Sequence, residues 1–369
     1  MAKIFIVIPN LKLGGVEKMR LVLAQSWIKS GHQVEVIVLK KIGELVELYE
    51  NSTPSIPIHE LSVDRIYSAF VPLSIFFKKH KPDIVLIGMW PLTVVGAIAW
   101  LIAGRPGRLF LSEHTQLSVS QINELNSSLF IMRLTIFFTY RLASGVIAVS
   151  EGVKRELVRL FMIPSNNIRV IYNPAGSLPK PESFLKTSFL NINKKKSKFL
   201  ILAVGTLKDS KKYDLLIRAF AKIPSCKKST LYIIGDGPKR NELEMLIREL
   251  KLEDRIFLPG FTLNIAEWYS KASLFVLSSG WEGLGNVIIE ALSFGVPIVS
   301  TNCPSGPSEI LMNGQYGKLV PCGDVQALAV AIEASLWESH DTHSLIKRSQ
   351  DFSTSTIAER YLNYFQLLK

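Results

Sequence analysis

The stretch with the clearest chemical content is SSGWEGLGNVIIEALSFG (278–295), which holds two carboxylates, Glu282 and Glu290, and a glycine-rich turn. The apolar LFVL before the turn predicts a buried strand, and NVIIEALSF after it has helical spacing that a glycine and a proline end. Gly283 and Gly285 let a ligand approach the main chain, and the free N–H groups of a first helical turn attract an anion.

The two carboxylates indicate what such an anion would carry. A carboxylate beside a bound phosphate is repelled unless it serves another group, such as the hydroxyls of a sugar. The pattern therefore favours a phosphate site whose acidic side chains bind sugar hydroxyls. The alternative is that Glu282 caps the helix and that Glu290 is a solvated helix residue.

Two further sets of residues could touch a ligand. Gly14 and Gly15 follow the first predicted strand, where they could admit a phosphate or an acceptor to the backbone, or form a tight turn that needs positive φ. His114 ends the predicted strand RLFLSEH (108–114), where it could contact a ligand or have a structural role. Glu113 beside it could orient the imidazole or be solvated.

The sequence contains no pattern for metal or nucleophile chemistry. It has no Asp-x-Asp pair and no cluster with metal-ligand spacing, so neither a metal nor another cofactor is expected. Asp236 in GDGP is interpreted as a turn residue. The three cysteines are scattered, which favours a reducing compartment, and no G-x-S-x-G turn occurs.

Strand and helix patterns alternate in two series, which predicts an α/β fold with two parallel, doubly wound domains. The predicted strands of the first series are 3–8, 32–39, 84–88, 108–114 and 144–150. Those of the second series are 199–205, 230–235, 255–260, 273–278 and 297–301. Ligands bind at the carboxyl edges of such sheets, so a central cleft between the two domains is expected.

The predicted domains are 1–174 and 199–369, joined by a linker at 175–198 that is rich in Pro, Ser and Lys. The last helix is a candidate to pack back on the N-terminal domain. The formal charge of +12 is uneven, with net +7 in residues 1–173, +5 in 174–198 and 0 in 199–369. No basic stripe interleaved with aromatics occurs, so nucleic acid is not expected, and an anionic membrane surface suits the N-terminal half better.

One segment, 84–103, is 20 residues long without a charge and resembles a membrane span. Pro91, Gly88 and Gly96 interrupt it, so a buried strand at 84–88 and a helix at about 92–103 are the preferred interpretation. The apolar run FIVI near the N-terminus is too short for a signal peptide. A cytoplasmic protein, peripheral to the inner face of the cell membrane, is therefore expected.

Several lines of the sequence, in this order and spacing, resemble the retaining glycosyltransferases of family four, which have the two-domain GT-B fold. The strongest lines are VGTLKDSKKYDLLIRAF (204–220), IIGDGPKRNELE (233–244), GLGNVIIEALSFGVPIVST after Glu282, and CPSGPSEIL (303–311). Weaker lines are LGGVEK (13–18), AVSEGVKREL (148–157) and IYNP (171–174). The resemblance covers nearly the whole chain.

The resemblance implies a nucleotide-sugar donor on the second domain and an acceptor on the first. It implies that Glu282 contacts the donor sugar's hydroxyls, that Glu290 holds the ribose, and that His114 contacts the transferred sugar. The remaining residues that it assigns to the donor follow the strand 199–205 or precede the helix: Gly205, Thr206, Lys211, Lys212, Gly283, Leu284, Gly285 and Asn286.

The sequence departs from the family pattern after the strand 199–205. The family carries an Arg and a Lys that clamp the diphosphate, and Lys211 falls on the Lys position. Thr206 stands where Arg is usual, and Lys212 stands where Gly is usual. Because a Thr hydroxyl cannot replace a bidentate guanidinium, either Lys208 or Lys212 compensates or activity is reduced.

The sequence thus predicts a retaining glycosyltransferase that moves a sugar from a nucleotide-diphosphate donor to a hydroxyl of a glycan. Because the first domain is basic and apolar, an acceptor on a lipid carrier is expected. Bacterial surface-polysaccharide or lipopolysaccharide assembly is the pathway that analogy suggests. Two alternatives stay open: a nucleotide-sugar 2-epimerase on the same fold, and a non-catalytic protein that binds a nucleotide-sugar or a glycan.

Overall fold

The computed structural model describes residues 1–12, 14–120, 128–174, 198–262 and 264–367. The chain divides into two compact units. Unit 1 comprises Met1–Gly176 and Phe352–Lys369, and unit 2 comprises Ser177–Asp351. The predicted linker at 175–198 lies outside the described residues, except for Lys198. Residues 352–369, which sequence analysis placed in the C-terminal domain with a last helix that could pack back, lie in unit 1.

Unit 1 contains a seven-stranded parallel sheet in the order β3-β2-β1-β4-β5-β6-β7. Its strands are β1 (Lys3–Ile8), β2 (Gln33–Val38), β3 (Ile58–Glu60), β4 (Ile84–Gly88), β5 (Arg108–Glu113), β6 (Gly145–Ala148) and β7 (Ile168–Val170). Its helices are α1 (Gly15–Lys29), α2 (Val46–Glu50), α3 (Phe70–His80), α4 (Leu92–Ile102), α5 (Leu117–Ser120), α6 (Leu129–Thr139), α7 (Glu151–Arg159) and, after unit 2, α15 (Thr354–Leu367).

Unit 2 contains a six-stranded parallel sheet in the order β10-β9-β8-β11-β12-β13. Its strands are β8 (Phe199–Val204), β9 (Ser229–Ile234), β10 (Ile256–Gly260), β11 (Leu274–Leu277), β12 (Ile298–Thr301) and β13 (Lys318–Val320). Its helices are α8 (Tyr213–Lys222), α9 (Arg240–Glu249), α10 (Ile265–Lys271), α11 (Asn286–Ser293), α12 (Pro307–Ile310), α13 (Val325–Trp337) and α14 (Thr342–Gln350).

Both sheets are doubly wound. In each sheet the second and third strands extend from one side of the first strand, and the chain then returns to place the fourth strand on the other side of the first. These switch points lie between β1 and β4 in unit 1 and between β8 and β11 in unit 2. The predicted α/β class with two Rossmann-like domains is therefore confirmed. In such sheets the loops at the carboxyl end of the switch point form the ligand site, so in unit 2 a ligand is expected at the loops after β8 and β11.

The strand-and-helix interpretation of the apolar segment 84–103 is also confirmed. All five residues of β4 are buried, and most of α4 is buried around Trp100. An unbroken apolar run here marks elements covered by protein on both faces. In the part of the chain that the structure describes, no helix combines the length and the apolar character that crossing a bilayer requires.

The C-terminal helix α15 completes the core of unit 1. The indole Nε1 of Trp27 on α1 donates to the carbonyl of Ala358 at 3.1 Å, and the rings of Tyr361 and Phe365 each lie 5.7 Å from the Trp27 ring. Trp27 and Tyr361 are fully buried. The final helix is therefore part of the same hydrophobic core as β1 and α1.

Candidate active site

The switch point of unit 2 brings Lys211 and Glu282 together. Lys211 ends the short turn after β8, and Glu282 lies in the loop after β11. The Nζ atom of Lys211 lies 2.7 Å from Oε1 of Glu282, and about an eighth of each side chain is exposed, 13% and 12%. Because the pair is largely shielded yet reaches solvent, a ligand that arrives at the switch point meets both charges.

Hydrogen bonds between the same two loops fix this pair. The Ser279 hydroxyl donates to Oε1 of Glu282 at 2.6 Å, and the Ser278 hydroxyl donates to the Lys211 carbonyl at 2.7 Å. The amide of Gly280 donates to the Ser210 carbonyl at 2.8 Å. Side-chain geometry here is therefore set by the backbone of both loops.

The glycine-rich turn leads directly into α11, as predicted. Gly285 is the N-cap, with φ of 91° and ψ of 54°, a left-handed conformation that favours glycine, and no side chain caps the helix. Glu282 is thus not a helix cap, which removes one alternative. In the described part of the chain, the amides of Gly283, Leu284 and Gly285 donate to no protein acceptor.

A second loop supports this turn from below. The Ser305 hydroxyl donates to the Gly283 carbonyl at 2.7 Å. Gly306 has φ of 91°, and a Cβ atom there would lie 2.0 Å from the Leu284 carbonyl oxygen. The CPSGPSEIL segment therefore supports the turn, and this close contact requires glycine at position 306.

Glu290 is held by a tyrosine from a different helix. The hydroxyl of Tyr269 on α10 lies 2.9 Å from Oε2 of Glu290, and Tyr269 is fully buried. Burial first, and then the nearby Glu290 carboxylate, raise the pKa of Tyr269 well above its ordinary value, so the phenol stays protonated and donates. Glu290 is therefore oriented by a buried donor and is not simply a solvated helix residue.

The floor of the site below Gly205 is tightly packed. A Cβ atom on Gly205 would lie 2.9 Å from the Tyr213 hydroxyl and 3.0 Å from Cε of Lys211. Tyr213 is almost wholly buried, and burial, followed by the charge of Glu282, raises the pKa of its hydroxyl. Any side chain at position 205 would therefore displace the lysine that pairs with Glu282.

The two departures from the family pattern differ in their surroundings. Thr206 is exposed at the surface. Lys212 has φ of 47° and ψ of 44°, the left-handed conformation that explains why glycine is usual at this position. Its Nζ lies 6.0 Å from the centre of the Trp281 ring, so its charge faces the loop that holds Glu282.

A separate groove of about 500 Å³ runs between α8 and α9. Lys208, Lys212, Arg218 and Lys239 line it, together with acidic and apolar side chains. It contains neither Glu282 nor Glu290, so it does not bring the predicted site residues together. Lys208 and Lys212, the two candidates to compensate for the missing Arg, nevertheless both line it.

In unit 1, the Gly14–Gly15 pair opens α1 without a tight turn. Gly14 is the N-cap with φ of −138°, and neither glycine has positive φ, so the alternative of a positive-φ turn is wrong. A Cβ atom on Gly14 would lie 2.1 Å from Oε2 of Glu17, because that carboxylate folds back over the helix start. Burial is the main cause that raises the pKa of Glu17.

His114 follows β5 and is engaged by Arg20 of α1. The Nε2 atom of His114 lies 3.3 Å from Nη2 of Arg20 and 3.1 Å from the Ser112 hydroxyl. Burial first, and then the charge of Arg20, hold the pKa of His114 well below its usual range. The imidazole at this sheet edge is therefore neutral.

Glu113 points away from His114, since neighbouring strand residues face opposite sides of a sheet. Its Oε1 accepts hydrogen bonds from the Tyr140 hydroxyl and, at 3.1 Å, from the Trp90 amide. The side chain is fully buried, and burial raises the pKa of Glu113 to about 8. Both expectations for Glu113, orienting His114 or standing in solvent, are wrong.

The comparisons with known proteins match both halves of the chain to glycosyltransferase families. Residues 13–175 match the model described as Glycosyltransferase Family 4, and residues 186–352 match Glycosyl transferases group 1. A Campylobacter jejuni protein named N-acetylgalactosamine-N,N'-diacetylbacillosaminyl-diphospho-undecaprenol 4-alpha-N-acetylgalactosaminyltransferase is 31% identical over 265 residues, 71% of this chain and 70% of that protein. The chain belongs to glycosyltransferase family 4.

Other relatives of this glycosyltransferase agree in kind. A second Campylobacter jejuni protein, named GalNAc-alpha-(1->4)-GalNAc-alpha-(1->3)-diNAcBac-PP-undecaprenol alpha-1,4-N-acetyl-D-galactosaminyltransferase, is 27% identical and covers 100% of this chain and 99% of its own. Among solved structures, Anabaena Alr3699/HepE in complex with UDP and glucose has a TM-score of 0.81 at 24% identity, with 100% of each chain covered. The glycosyltransferase therefore has the GT-B fold.

The structure of this glycosyltransferase adds residues that sequence reasoning missed. Ser279 and Tyr269 hold the two carboxylates, and Arg20 and Ser112 contact His114. A signal for Arg20 was available, because it takes a place on the helical stripe that Leu23, Ala24 and Trp27 otherwise fill. The others are ordinary polar residues whose partners are distant in sequence. Among the described residues, no group of three or more His, Cys, Asp or Glu side chains could hold a metal ion.

Proposed function

We propose that this glycosyltransferase moves a sugar, with retention of anomeric configuration, from a nucleoside-diphosphate donor to a hydroxyl of a lipid-linked glycan. The observation that carries the proposal is the Lys211–Glu282 pair, 2.7 Å apart at the switch point of unit 2 beside the open start of α11. A cation, a carboxylate and free amides at one place match a ligand with a diphosphate and sugar hydroxyls.

The residues divide the donor between them. Lys211 and the amides of Gly283, Leu284 and Gly285 would neutralise the diphosphate, whose negative charge grows as it leaves. Glu282 would accept hydrogen bonds from the sugar hydroxyls, and its pairing with Lys211 offsets the repulsion between its charge and the anion. Glu290, oriented by Tyr269, would accept hydrogen bonds from the ribose hydroxyls. In a retaining transfer the acceptor hydroxyl attacks on the face that the diphosphate leaves.

Unit 1 would then hold the acceptor with the loops at the carboxyl edge of its sheet, where Gly14, Gly15 and His114 lie. The two Campylobacter relatives are named for acceptors on a diphospho-undecaprenol carrier, and other relatives are named for lipopolysaccharide core and capsular polysaccharide synthesis. These names support a lipid-linked acceptor in bacterial surface-glycan assembly. They also make UDP-N-acetylgalactosamine the first donor to test, since the HepE structure contains UDP.

A transfer assay with purified enzyme tests the proposal. Glu282→Gln and Lys211→Met each remove one contact to the reacting donor and should reduce kcat by about 10² to 10³, the typical effect of removing one transition-state donor. Lys318→Met is the matched control, because it breaks a Lys–Glu pair of 2.6 Å on the exposed edge of the same unit. Wild-type rates in Glu282→Gln would refute the assignment.

The same assay separates the alternatives. Release of an epimerised sugar nucleotide in the absence of acceptor would show that the reaction is epimerisation and not transfer. Tight donor binding with no turnover under any acceptor would indicate a binding protein. We further propose that turnover needs no divalent ion, with Lys211 and the helix start carrying the diphosphate charge. Loss of turnover in EDTA that magnesium restores would contradict this part.

A further part of the proposal is peripheral attachment to an anionic membrane through α3, α4 and α6. These neighbouring helices of unit 1 expose large apolar side chains, including Phe130 at 72% and Phe138 at 60%. The complete exposed set, here named the apolar face, is Phe70, Val71, Ile75, Ile98, Leu101, Ile102, Leu129, Phe130, Ile131, Leu134 and Phe138. An apolar surface of this extent is typical of an interaction site.

The charges around the apolar face favour a lipid surface. Residues 66–105 and 128–142 contain six basic side chains and one acidic side chain, Asp83. Lys78, Lys79, Arg133 and Arg141 are among the exposed basic residues. Each basic side chain near an anionic surface contributes about 1 kcal/mol, and aromatic rings insert between headgroups.

Vesicle flotation tests this attachment. The protein should float with vesicles that contain phosphatidylglycerol and remain at the bottom with phosphatidylcholine alone. Phe130→Glu with Phe138→Glu should abolish flotation, whereas Phe261→Glu, at a 58% exposed phenylalanine of unit 2, should not. If the double variant floats like the wild type, or if the apolar face instead drives self-association in sedimentation, the proposed membrane contact is wrong.

A further inference from the structure

Arg20 is an unusual residue for the place it occupies. It lies on the buried face of α1 with Leu23, Ala24 and Trp27, and its side chain has no exposed surface. Burying a guanidinium is costly unless each nitrogen finds a partner. Nε and Nη1 are buried without a hydrogen-bond partner among the described residues. Such a costly side chain suggests a task beyond packing.

The partners of the third nitrogen indicate that task. Nη2 of Arg20 donates to the Ser112 hydroxyl and lies 3.3 Å from Nε2 of His114. A Cβ atom on Gly88 would lie 3.2 Å from Nη2 and 3.1 Å from the Ser112 oxygen, so the glycine at the end of β4 makes room for this cluster. The cluster joins α1, β4 and β5 at the carboxyl edge of the sheet.

The chemistry of the two groups fixes the proton on the imidazole. A guanidinium has donors only, which favours an Nε2 of His114 that presents its lone pair to Arg20, with the Ser112 hydroxyl donating either to Nε2 at 3.1 Å or to the Ile87 carbonyl at 3.3 Å. In a neutral imidazole the proton then resides on Nδ1. An N–H on Nε2 would instead point at the N–H of a cation 3.3 Å away.

We propose that Arg20 is a positioning residue that holds His114 as the neutral tautomer with its proton on Nδ1, so that His114 offers one fixed hydrogen-bond donor to a hydroxyl of the sugar substrate. The proposal rests on the proposed transferase function for the last step only. Nδ1 is buried and has no hydrogen-bond partner among the described residues, although the ring as a whole is partly exposed. A buried donor without a partner is expensive, and a substrate hydroxyl would satisfy it.

The electrostatics agree with this geometry. Burial and then the Arg20 charge lower the pKa of His114, while the Asn173 side chain, which lies near enough for a weak hydrogen-bond interaction with the ring, acts in the opposite direction. Behind Arg20, the titratable groups that feel its charge are Glu17 of α1, Tyr49 of α2 and Tyr361 of α15. His114 therefore stays neutral over the physiological range and does not act as a general acid or base.

Nitrogen NMR of the histidine rings tests the tautomer without any substrate. In protein labelled with ¹⁵N-histidine, long-range proton–nitrogen correlations should show a protonated Nδ1 and an unprotonated Nε2 for His114, unchanged from pH 6 to 8. His114→Asn identifies its signals among the six histidines. A proton on Nε2 in the wild-type protein would overturn the proposal, whatever the enzyme's reaction is.

Variants test the consequence for turnover. In Arg20→Met the pKa of His114 should rise, because the Arg20 charge no longer lowers it, although burial still does; kcat/KM should therefore begin to fall with acidification at a higher pH than in the wild type. Lys18→Met, an exposed residue of the same helix, is the control and should match the wild type. An unchanged pH profile in folded Arg20→Met would contradict the proposal.

A second pair of variants keeps the test valid if Arg20→Met does not fold. The Asn amide nitrogen can take the place of Nδ1, whereas the Gln amide nitrogen takes the place of Nε2. His114→Asn should therefore retain at least tenfold more kcat/KM than His114→Gln. Equal losses of kcat/KM in the two variants would contradict the proposed contact between His114 and the sugar. The NMR measurement would still test the tautomer independently.

Discussion

Glu113 shows how much a single buried side chain can make stability depend on pH. Its carboxyl is fully buried, and burial raises its pKa from the ordinary 4.5 to about 8. The folded state therefore holds a proton that the unfolded chain releases near pH 4.5. Between these two values the native protein binds more protons than the unfolded chain, so stability falls as the pH rises and levels off above about 8.

Replacing Glu113 by Gln should remove this dependence. The amide keeps an oxygen for the Tyr140 hydroxyl and the Trp90 amide but does not ionise. The difference in unfolding free energy between wild type and Glu113→Gln should therefore shift toward the variant by about 1.4 kcal/mol per pH unit between pH 5 and 8. Urea unfolding across that range measures it, and the exposed Glu47→Gln should run parallel to the wild type. Parallel curves for Glu113→Gln would contradict the assigned pKa.

At this scale, sequence reasoning found residue types and missed partners. The roles of Glu282, Glu290 and Lys211 could be proposed because they stand in motifs with defined neighbours. That Tyr269 holds Glu290, or that Arg20 faces His114, could not be predicted, since the partners are 21 and 94 residues apart. Glu113 was misassigned because a lone Glu carries no sequence signal for burial.

At the scale of elements, the loop that carries Gly306 supports the turn before α11. Gly306 has φ of 91° and leaves no room for a Cβ atom beside the Leu284 carbonyl, 2.0 Å away. Gly323 has a similar φ of 80° but open space around it. The two glycines thus separate the cost of backbone conformation from the cost of a clash with the turn.

Gly323→Ala should cost about 1–2 kcal/mol of unfolding free energy, the penalty for a left-handed alanine. Gly306→Ala should cost more, because the Leu284 carbonyl must also move. It should raise the donor KM at least tenfold, whereas Gly323→Ala leaves KM unchanged. Urea unfolding and donor titrations of both variants measure this. Equal stability losses and equal KM values would show that the turn does not depend on its contact with Gly306.

Most elements could be predicted because their signals are local. Buried strands such as β4, β8 and β11 appear as apolar runs, and Ser150 is a residue type that favours the start of a helix, where its side chain accepts from the Val153 amide before α7. The three-residue strands β3, β7 and β13 have too few residues for a pattern. The left-handed Lys212 could not be foreseen from a lysine, only from the glycine usual there.

At the scale of the whole molecule, the helix that ends the chain is built into the unit that begins it. Tyr361 and Phe365 of α15 close over Trp27, and Ala358 accepts the indole hydrogen bond. No local pattern in residues 352–369 specifies this, because the helix contacts residues far away in sequence, such as Asn167 and Trp27, which are 197 and 331 positions from their partners. The sequence was compatible with packing of the last helix on the N-terminal domain but did not require it.

Tyr361→Ala should therefore destabilise unit 1 by about 3–5 kcal/mol, the usual cost of removing a large buried aromatic side chain. Unit 2 should unfold at an unchanged urea concentration. Hydrogen exchange followed separately in β1 and β8 distinguishes the two units, and the exposed Asn363→Ala on the same helix is the control. Equal acceleration of exchange in both units would show that α15 does not belong to unit 1 alone.

The same arrangement has a consequence for biosynthesis. As the ribosome emits the polypeptide, the first 174 residues appear early but still lack the helix that covers Trp27. The intervening segment up to Asp351 is complete by itself and can reach its native state while synthesis continues. The part of the enzyme translated first thus completes its core only once α15 has been synthesised, and until then the Trp27 indole lacks the cover of Tyr361 and Phe365.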